Sequence, residues 1–499
     1  MKAKIQNVLL PLLLLLMPAM AQAQFNYTVS NGAATITGYS GPSGPVTIPA
    51  TIGGYPVTSI GASAFFFNSS PTSITIGTNI TSIGDSAFYF CYNLTNVIIG
   101  TNVASIGDNA FFASEGVLNF NVPARVSSIG NDAFGGNPYL TNITVAASNP
   151  DYISVAGVLF NKNQTTLLQF PSGTFGNVGY GSYAIPASVT SIAEGAFDYA
   201  TCVTSVTIPN AVTSIGLFAF INCYSLTNVT IPAGVTNFED AFPGCQSLTN
   251  ITVAASNPDF SSMAGVVFNK NQTTLVEYPA GLVGACTVPN SVNNIANYGF
   301  DNVYYLTSVT IPDTVTNIGV SAFDTCGDLA NVTIGNGVTS IGELAFDDCY
   351  SLTNVTIGTS VTNISGLAFY SCRSLTGVYF QGNSPTPTNV TSVFSGDNQA
   401  IIYYLPGATS WGSSFDGLPT TLWLPQVQAS SGTFGVKSNQ FGFNISWAGN
   451  LTVVVQVATN LANPVWVPIS TNTLTGGTSS FSDPLWTNYP GRYYRLSSQ

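Results

Sequence analysis

The chain has 499 residues, only 6% of them charged, with 9 Lys+Arg against 21 Asp+Glu and no histidine. Lack of histidine excludes histidine triads and histidine-ligated zinc or haem, and a net charge of −12 excludes the basic footprint of a nucleic-acid binder. With 45% hydrophobic residues the chain can bury a core, while its solubility must rest on Thr, Ser, Asn and Gly rather than on ions.

Residues 1–23 read as a secretory signal peptide. Lys2 and Lys4 precede the apolar run Val8 to Met20, and Ala21-Gln22-Ala23 supplies a small-residue cleavage site, with cleavage expected after Ala23. The apolar run is too short to span the ~30 Å of hydrocarbon in a bilayer. A secreted or cell-surface protein is expected, with no membrane span in the mature chain.

Residues 24–56, including Tyr27-Thr-Val-Ser and Val46-Thr-Ile-Pro, read as degenerate coils forming an N-terminal cap. A 23-residue period then runs through 57–383. The phrase Val-Thr-Ser-Ile-Gly-x-x-Ala-Phe-x-x-Cys-x-x-Leu-Thr-Asn-Val-Thr-Ile begins at Val57, Ile80, Val103 and Val126, again at Val189, Val212 and Val235, and again at Val292, Val315, Val338 and Val361. Such a short unit cannot bury its own apolar positions. Stacked units can, each covering the next. Leu-Thr-Asn-Val-Thr-Ile has the alternation and β-branching of a strand, so stacking predicts a parallel sheet. Ile-Gly-x-x-Ala-Phe predicts a 3₁₀ or single α-helical turn opposite it, with Ala and Phe inward.

Two near-copies interrupt the period at about 146–188 and 254–291: Ala156-Gly-Val-Leu-Phe-Asn-Lys-Asn-Gln-Thr-Thr-Leu-Leu and Ala264-Gly-Val-Val-Phe-Asn-Lys-Asn-Gln-Thr-Thr-Leu-Val. Each predicts a β-hairpin around Asn-Lys-Asn-Gln, with Lys162 and Lys270 at the tips. Residues 384–424 read as a C-terminal cap ending in the strand Ile401-Ile-Tyr-Tyr. Residues 425–499, with Phe441-Gly-Phe-Asn-Ile-Ser-Trp and Thr452-Val-Val-Val-Gln-Val, read as a small β-sandwich, immunoglobulin- or fibronectin-like.

The phrases starting at Val212 and Val338 resemble the BspA-like, or Treponema-type, bacterial leucine-rich repeats. The predicted fold is therefore a mainly β repeat protein: a leucine-rich-repeat solenoid with a parallel sheet and short turns, plus the sandwich tail. Members of that family are typically exported and several are linked to adhesion, so the resemblance implies a non-catalytic recognition scaffold that binds extracellular proteins or polysaccharides. A structural surface-layer or spacer protein is the alternative, and an ice- or crystal-surface binder a more distant one.

Candidate chemistry is sparse. Cys91, Cys223, Cys245, Cys326, Cys349 and Cys372 share one slot of the repeat and read as small apolar plugs, although neighbouring coils would also bring them within disulfide range. Asp85, Asp108, Glu194, Asp240 and Glu343 share one turn position and Asp198, Asp301, Asp324 and Asp347 another; they read as a solvated acidic edge rather than a calcium ladder. No nucleophile elbow, phosphate loop or C-x-x-C pair occurs, so no catalytic residue, metal or cofactor is expected. In Val-Thr-Ile the middle residue should point outward. That row consists of Thr75, Ile98, Asn121, Thr144, Thr207, Thr230, Thr252, Thr310, Thr333, Thr356 and Tyr379. Together with Lys162 and Lys270, it is the expected ligand-binding surface.

Overall fold

The computed structural model describes residues 24–173, 181–238, 240–387, 392–397, 399–429, 432–449 and 451–498. The expected signal peptide lies outside the described residues. Among the described residues the regular elements are β-strands, apart from two single-turn 3₁₀ segments, Thr475–Gly477 and Trp486–Asn488. By packing, the chain divides into two compact units. One comprises the described residues up to Gly284 with Asn294–Leu306 and Ser321–Gly327; the other comprises Ala285–Asn293, Thr307–Val320 and the described residues from Asp328 onward.

The first unit opens with a hairpin, not a coil. Phe25–Ser30 pairs antiparallel with Ala33–Tyr39 through Asn31 and Gly32, both at positive φ, the Asn-Gly chemistry of a tight two-residue turn. Ala33–Tyr39 then pairs parallel with Tyr55–Ile60. Beyond it, each coil contributes two strands rather than the single one expected. The Val-Thr-Ile segments stack in parallel, as in Asn228–Ile231 on Asn250–Val253. The Ser-Ile pairs form a second parallel row, as in Ser191–Ile192 on Ser214–Ile215. Both rows send Val and Ile inward because side chains alternate along a strand.

The Ala-Phe corner does not form a 3₁₀ or α-helical turn. The amides of Ser63, Phe65 and Phe67 donate to the carbonyls of Asp85, Ala87 and Tyr89 on the next coil (2.9, 2.7 and 2.9 Å), while Phe66 and Asn68 close turns onto Ser63 and Phe65. Left-handed residues four apart make this possible. Ser63 and Phe67, Ser86 and Phe90, Phe218 and Asn222, and Leu344 and Asp348 all have φ near +50°. A helical turn would direct those amides back into its own coil; the alternating corner spends them on the neighbour. The preceding glycine is needed for close approach, since a Cβ on Gly216 would lie 2.5 Å from the Glu194 amide nitrogen.

Inside the corner, Phe170, Phe197, Phe220 and Phe242 stack at 5.0, 4.6 and 4.9 Å. In the second unit Phe346, Phe369 and Phe394 stack at 5.1 and 5.3 Å. Full burial of each ring is worth about 2–3 kcal/mol.

The cysteine slot is a donor site, which corrects its reading as an apolar plug. Cys91, Cys223, Cys245, Cys326 and Cys372 are thiols, and their Sγ atoms donate to the Phe65, Phe197, Phe220, Phe300 and Phe346 carbonyls at 3.0–3.2 Å. Where cysteine is missing, Ser114 Oγ donates to Phe88 O (3.2 Å) and Asn137 Nδ2 to Phe111 O (3.0 Å). The slot thus adds a side-chain donor to a buried carbonyl that also accepts from a nearby backbone amide, as Phe65 O does from Asn68 N (3.0 Å) and Phe300 O from Val303 N (3.3 Å). Burial raises the Cys91 pKa to about 12 and holds those of Cys326 and Cys372 well above the usual thiol value, so the thiolate needed for disulfide exchange is suppressed. Cys326→Ser is expected to keep wild-type stability and Cys326→Val to lose about 0.5–1.5 kcal/mol in urea unfolding, the net worth of one hydrogen bond to a carbonyl that keeps its Val303 amide donor. Equal stability of the two variants would return the slot to simple packing.

The expected hairpin inserts are three-stranded meanders. Tyr152–Val155, Val158–Asn161 and Thr166–Gln169 pair antiparallel in turn, and Thr166–Gln169 then pairs parallel with Ser191–Ile192. The second copy repeats this with Phe260–Met263, Val266–Asn269, Thr274–Glu277 and Asn294–Ile295. Each last strand therefore rejoins the Ser-Ile row.

In the tail, Gln440–Ser446 pairs with Gln426–Gln428, Gly435–Lys437 and Thr478–Asp483, while Thr452–Ala458 pairs with Val467–Thr473 and Tyr493–Ser498, all antiparallel. Phe443, Ile445, Val453, Val455, Leu474 and Phe481 are buried together. One ion pair, Arg492 Nε to Asp483 (2.9 Å), is buried beside the Tyr494 hydroxyl, which donates to the same carboxylate (2.8 Å).

Candidate functional site

The outward row expected from the repeat is outward in the structure: its members are exposed or half-buried, while the flanking Val and Ile are buried apart from the half-buried Val145. Strand register brings them together in groups. Within the first unit, Thr75 lies beside Ile98, Asn121 beside Thr144, and Thr230 beside Thr252; Thr207 aligns with Ala184. The longest ladder lies in the second unit, where Thr310, Thr333, Thr356 and Tyr379 align and continue into Tyr403 and Thr421. Lys162 and Lys270 are not part of any of these ladders. Each exposed lysine folds its ammonium back onto a backbone carbonyl, Asn149 O and Asn257 O, both at 2.6 Å.

At the end of the longest ladder the surface changes from hydroxyl to aromatic. Tyr379 and Tyr403 stack with ring centres 4.8 Å apart and planes within 10°, as cross-strand neighbours on one sheet face can. Tyr379 leans along its strand over Gly377, where a Cβ would lie 2.6 Å from the ring. The corresponding residues one and two coils earlier are Asn354 and Asn331. Trp423 meets Tyr379 at 4.9 Å and 53°. It is fixed through its backbone: its amide donates to Tyr404 O (2.7 Å), and its carbonyl accepts from Trp447 Nε1 (2.9 Å).

These side chains border a cleft of about 520 Å³ that is also lined by Asn354, Thr356, Gln426 and Ser446. The volume falls within the ~300–1,000 Å³ of small-ligand sites. Its lining is uncharged. Burial, and secondarily Tyr403, raise the Tyr379 pKa, so the phenol stays a neutral donor and acceptor. The chemistry available is ring stacking and neutral hydrogen bonding, not proton transfer or ion pairing.

Sequence reasoning reached Tyr379 and Thr356 but missed Tyr403, Trp423 and Trp447 as site residues, because these lie beyond the regular period. It also missed an aromatic rib on the turn side of the first unit. There Phe66 and Phe67 are 48% and 53% exposed; Phe66, Tyr89 and Phe112 stack at 5.1 Å intervals, and Phe67 stacks on Phe90 at 4.8 Å. The legible signal was the run Phe65-Phe66-Phe67, where later coils carry polar residues such as Asp347-Asp348.

The acidic edge requires correction. Asp85, Asp108 and Glu343 are exposed as expected, and Asp85 and Asp108 accept from the amides of Asp108 and Asn131 one coil on (3.1 and 2.7 Å). Asp198, Asp240 and Asp301 are instead buried, as is Glu277. Burial pushes the Asp198 and Glu277 pKa values up to about 8, and the Asp301 charge adds to the rise at Glu277. Burial at these residues is local and not a property of one repeat position, since Asp324 and Asp347, in the same slot as Asp198 and Asp301, are only half-buried; where the carboxyl is enclosed it is held protonated instead of solvated. Among the described residues no group of three or more Cys, Asp or Glu is arranged to hold a metal ion, and no helix is long and apolar enough to cross a membrane.

The model of the BspA type Leucine rich repeat region (6 copies) matches residues 46–164, 168–283 and 282–397. A leucine rich cell surface protein from Faecalibacterium prausnitzii is 30% identical, covering 78% of this chain and 94% of that one, with a TM-score of 0.44. The pneumococcal vaccine antigen PcpA is 20% identical, covering 81% and 93%, with a TM-score of 0.38. A leucine-rich repeat protein from Eubacterium ventriosum is 21% identical, covering 73% and 94%, with a TM-score of 0.34. No curated protein matches. With the family model matched across most of residues 46–397, the chain belongs to the BspA-type leucine-rich repeat family.

Proposed function

We propose that this is an exported, non-catalytic recognition protein that adheres to extracellular proteins or polysaccharides through the outward face of its Val-Thr-Ile strands. The observation that carries this reading is the in-register ladder Thr310, Thr333, Thr356, Tyr379 and Tyr403. A ladder of this kind offers repeated, rigid hydroxyl and aromatic contacts at strand spacing, and repeat proteins use extended faces of this sort for binding. The leader at 1–23 and the division into caps, a solenoid over 57–383 and a tail domain over 425–499 belong to the same proposal. Family membership supports it, as does the Faecalibacterium prausnitzii relative, which is described as a cell surface protein.

The test uses protein starting at Gln24, screened by biolayer interferometry against fibronectin, fibrinogen, laminin and a panel of neutral and acidic polysaccharides. At least one saturable interaction is expected. The double substitution Thr310→Lys and Thr333→Lys, on an exposed face, is expected to weaken that interaction at least tenfold without lowering Tm. A blank panel would count against recognition and in favour of a passive structural role.

A further inference from the structure

We propose that the cleft bordered by Tyr379, Tyr403 and Trp423 is a binding site for a neutral polysaccharide, its aromatic corner stacking on pyranose rings and its amides and hydroxyls bonding to their hydroxyl groups. This rests on the recognition reading above and narrows it to one site and one ligand class.

Five observations carry it. The rings are pre-set. Tyr379 and Tyr403 are stacked on adjacent paired strands, and the Trp423 ring packs against Tyr379 from a backbone held at both its amide and its carbonyl, so ring contacts already formed limit the side-chain freedom lost on binding. The corner also has the right shape. A ring set at 53° to Tyr379 offers two apolar planes, and a sugar ring has apolar C–H faces with hydroxyls at its rim.

The polar groups are of matching kind. Asn354 Nδ2 is engaged by Thr353 Oγ1 (3.0 Å). Ser446 Oγ accepts from Gln428 Nε2, which leaves the serine hydroxyl proton to donate. The uncharged lining disfavours acidic glycans, nucleotides and phospholipid headgroups, whose charge would be desolvated without a partner.

A peptide is the less suitable occupant. The strand Gly377–Phe380 is paired on both edges, with Asn354–Ile357 and Ile401–Tyr404, so no backbone edge is open for strand addition. Finally, the two sequence changes are coupled. Tyrosine replaces the row's threonine at 379, and glycine stands at 377, where any side chain would collide with the ring. Glycine in a strand interior costs roughly 0.5–1 kcal/mol, and here it makes room for an aromatic on a face that otherwise carries threonine.

The experiment is isothermal titration of the mature protein with soluble neutral glycans (a β-glucan, a xylan, a galactomannan and dextran), with hyaluronan and polygalacturonate as acidic controls and a proline-rich peptide as the peptide control. Tryptophan emission is followed in parallel, because Trp423 and Trp447 border the cleft. At least one neutral glycan is expected to bind and to shift the emission. Tyr379→Thr restores the row's usual residue and is expected to weaken that binding at least tenfold. Tyr403→Ala is expected to do the same, with unchanged thermal unfolding in both variants. Neutral glycan binding that survives Tyr379→Thr but is lost in the Thr310→Lys, Thr333→Lys protein would overturn the cleft while sparing the sheet-face reading. Binding confined to proteins, to the peptide or to the acidic glycans would overturn the ligand class.

Discussion

Phe220→Ala is expected to lower the unfolding free energy by about 3–5 kcal/mol, the usual cost of deleting a fully buried aromatic ring. Phe220 has no exposed surface and is stacked between Phe197 and Phe242 at 4.6 and 4.9 Å. Its removal leaves both neighbours facing a void. The surroundings cannot close over it, because the backbone on either side is fixed by bonds between coils: Phe197 N to Ala219 O at 2.7 Å and Phe220 N to Ala241 O at 2.8 Å. In a repeat array, stability is a sum of unit and nearest-neighbour terms, so damage should be greatest in the coils that flank position 220. Urea unfolding measures the size, and hydrogen exchange of the flanking amides measures the spread. A loss under 1 kcal/mol, or exchange accelerated evenly along the chain, would contradict the stacked-coil account.

The second large effect concerns pH. Asp198 and Glu277 have folded-state pKa values near 8, and Asp301 and Asp397 near 7. Burial is the leading cause at all four. An unfolded carboxyl titrates near ~4. A raised folded pKa means that the folded state binds the proton more tightly, so its full contribution is present below about pH 4 and is lost as pH rises through 7 and 8. With no histidine and few basic residues, the chain has little positive charge with which to compensate. Thermal unfolding should therefore shift downward between pH 5 and pH 9, by on the order of 10 °C. Asp198→Asn and Glu277→Gln should each raise Tm at pH 8.5, leave it nearly unchanged at pH 4.5, and flatten the profile. Differential scanning calorimetry across that range decides the matter. A Tm that climbs with pH would show that these carboxyls are ionised and paired in the native state.

Most of the repeat could be read from the sequence because its strongest signals are periodic. Val, Ile, Phe and Leu recur at fixed places and are buried where the period puts them, and Thr333 or Tyr379 points outward because its neighbours point in. What escaped reading falls into three physical kinds. The corner conformation is set by left-handed backbone at residues such as Ser63 and Phe67, which are not the Gly or Asn that usually announce it. The donor slot is occupied by Cys91, Ser114 and Asn137, which share a hydrogen bond and little else, so residue class concealed a common role. The buried carboxyls escape because aspartate in a turn is ordinarily solvated, and only the local packing encloses Asp198 and Asp301 while Asp324 and Asp347, in the same slot of the repeat, stay half-buried. The cleft was half visible. Tyr379 departs from its row within the period, whereas Trp423 and Trp447 reach it only through the folded path of the chain.

The two meanders bear on how such a chain changes length. Each leaves the array after a Val-Thr-Ile strand and comes back in phase with the Ser-Ile row, Thr166–Gln169 onto Ser191–Ile192 and Thr274–Glu277 onto Asn294–Ile295. A segment that exits and re-enters in register can be duplicated or deleted as a block without disturbing the coils on either side. Unequal recombination between the two near-identical stretches would yield longer and shorter proteins that still fold, so relatives from neighbouring lineages should differ in length by whole blocks rather than by scattered insertions.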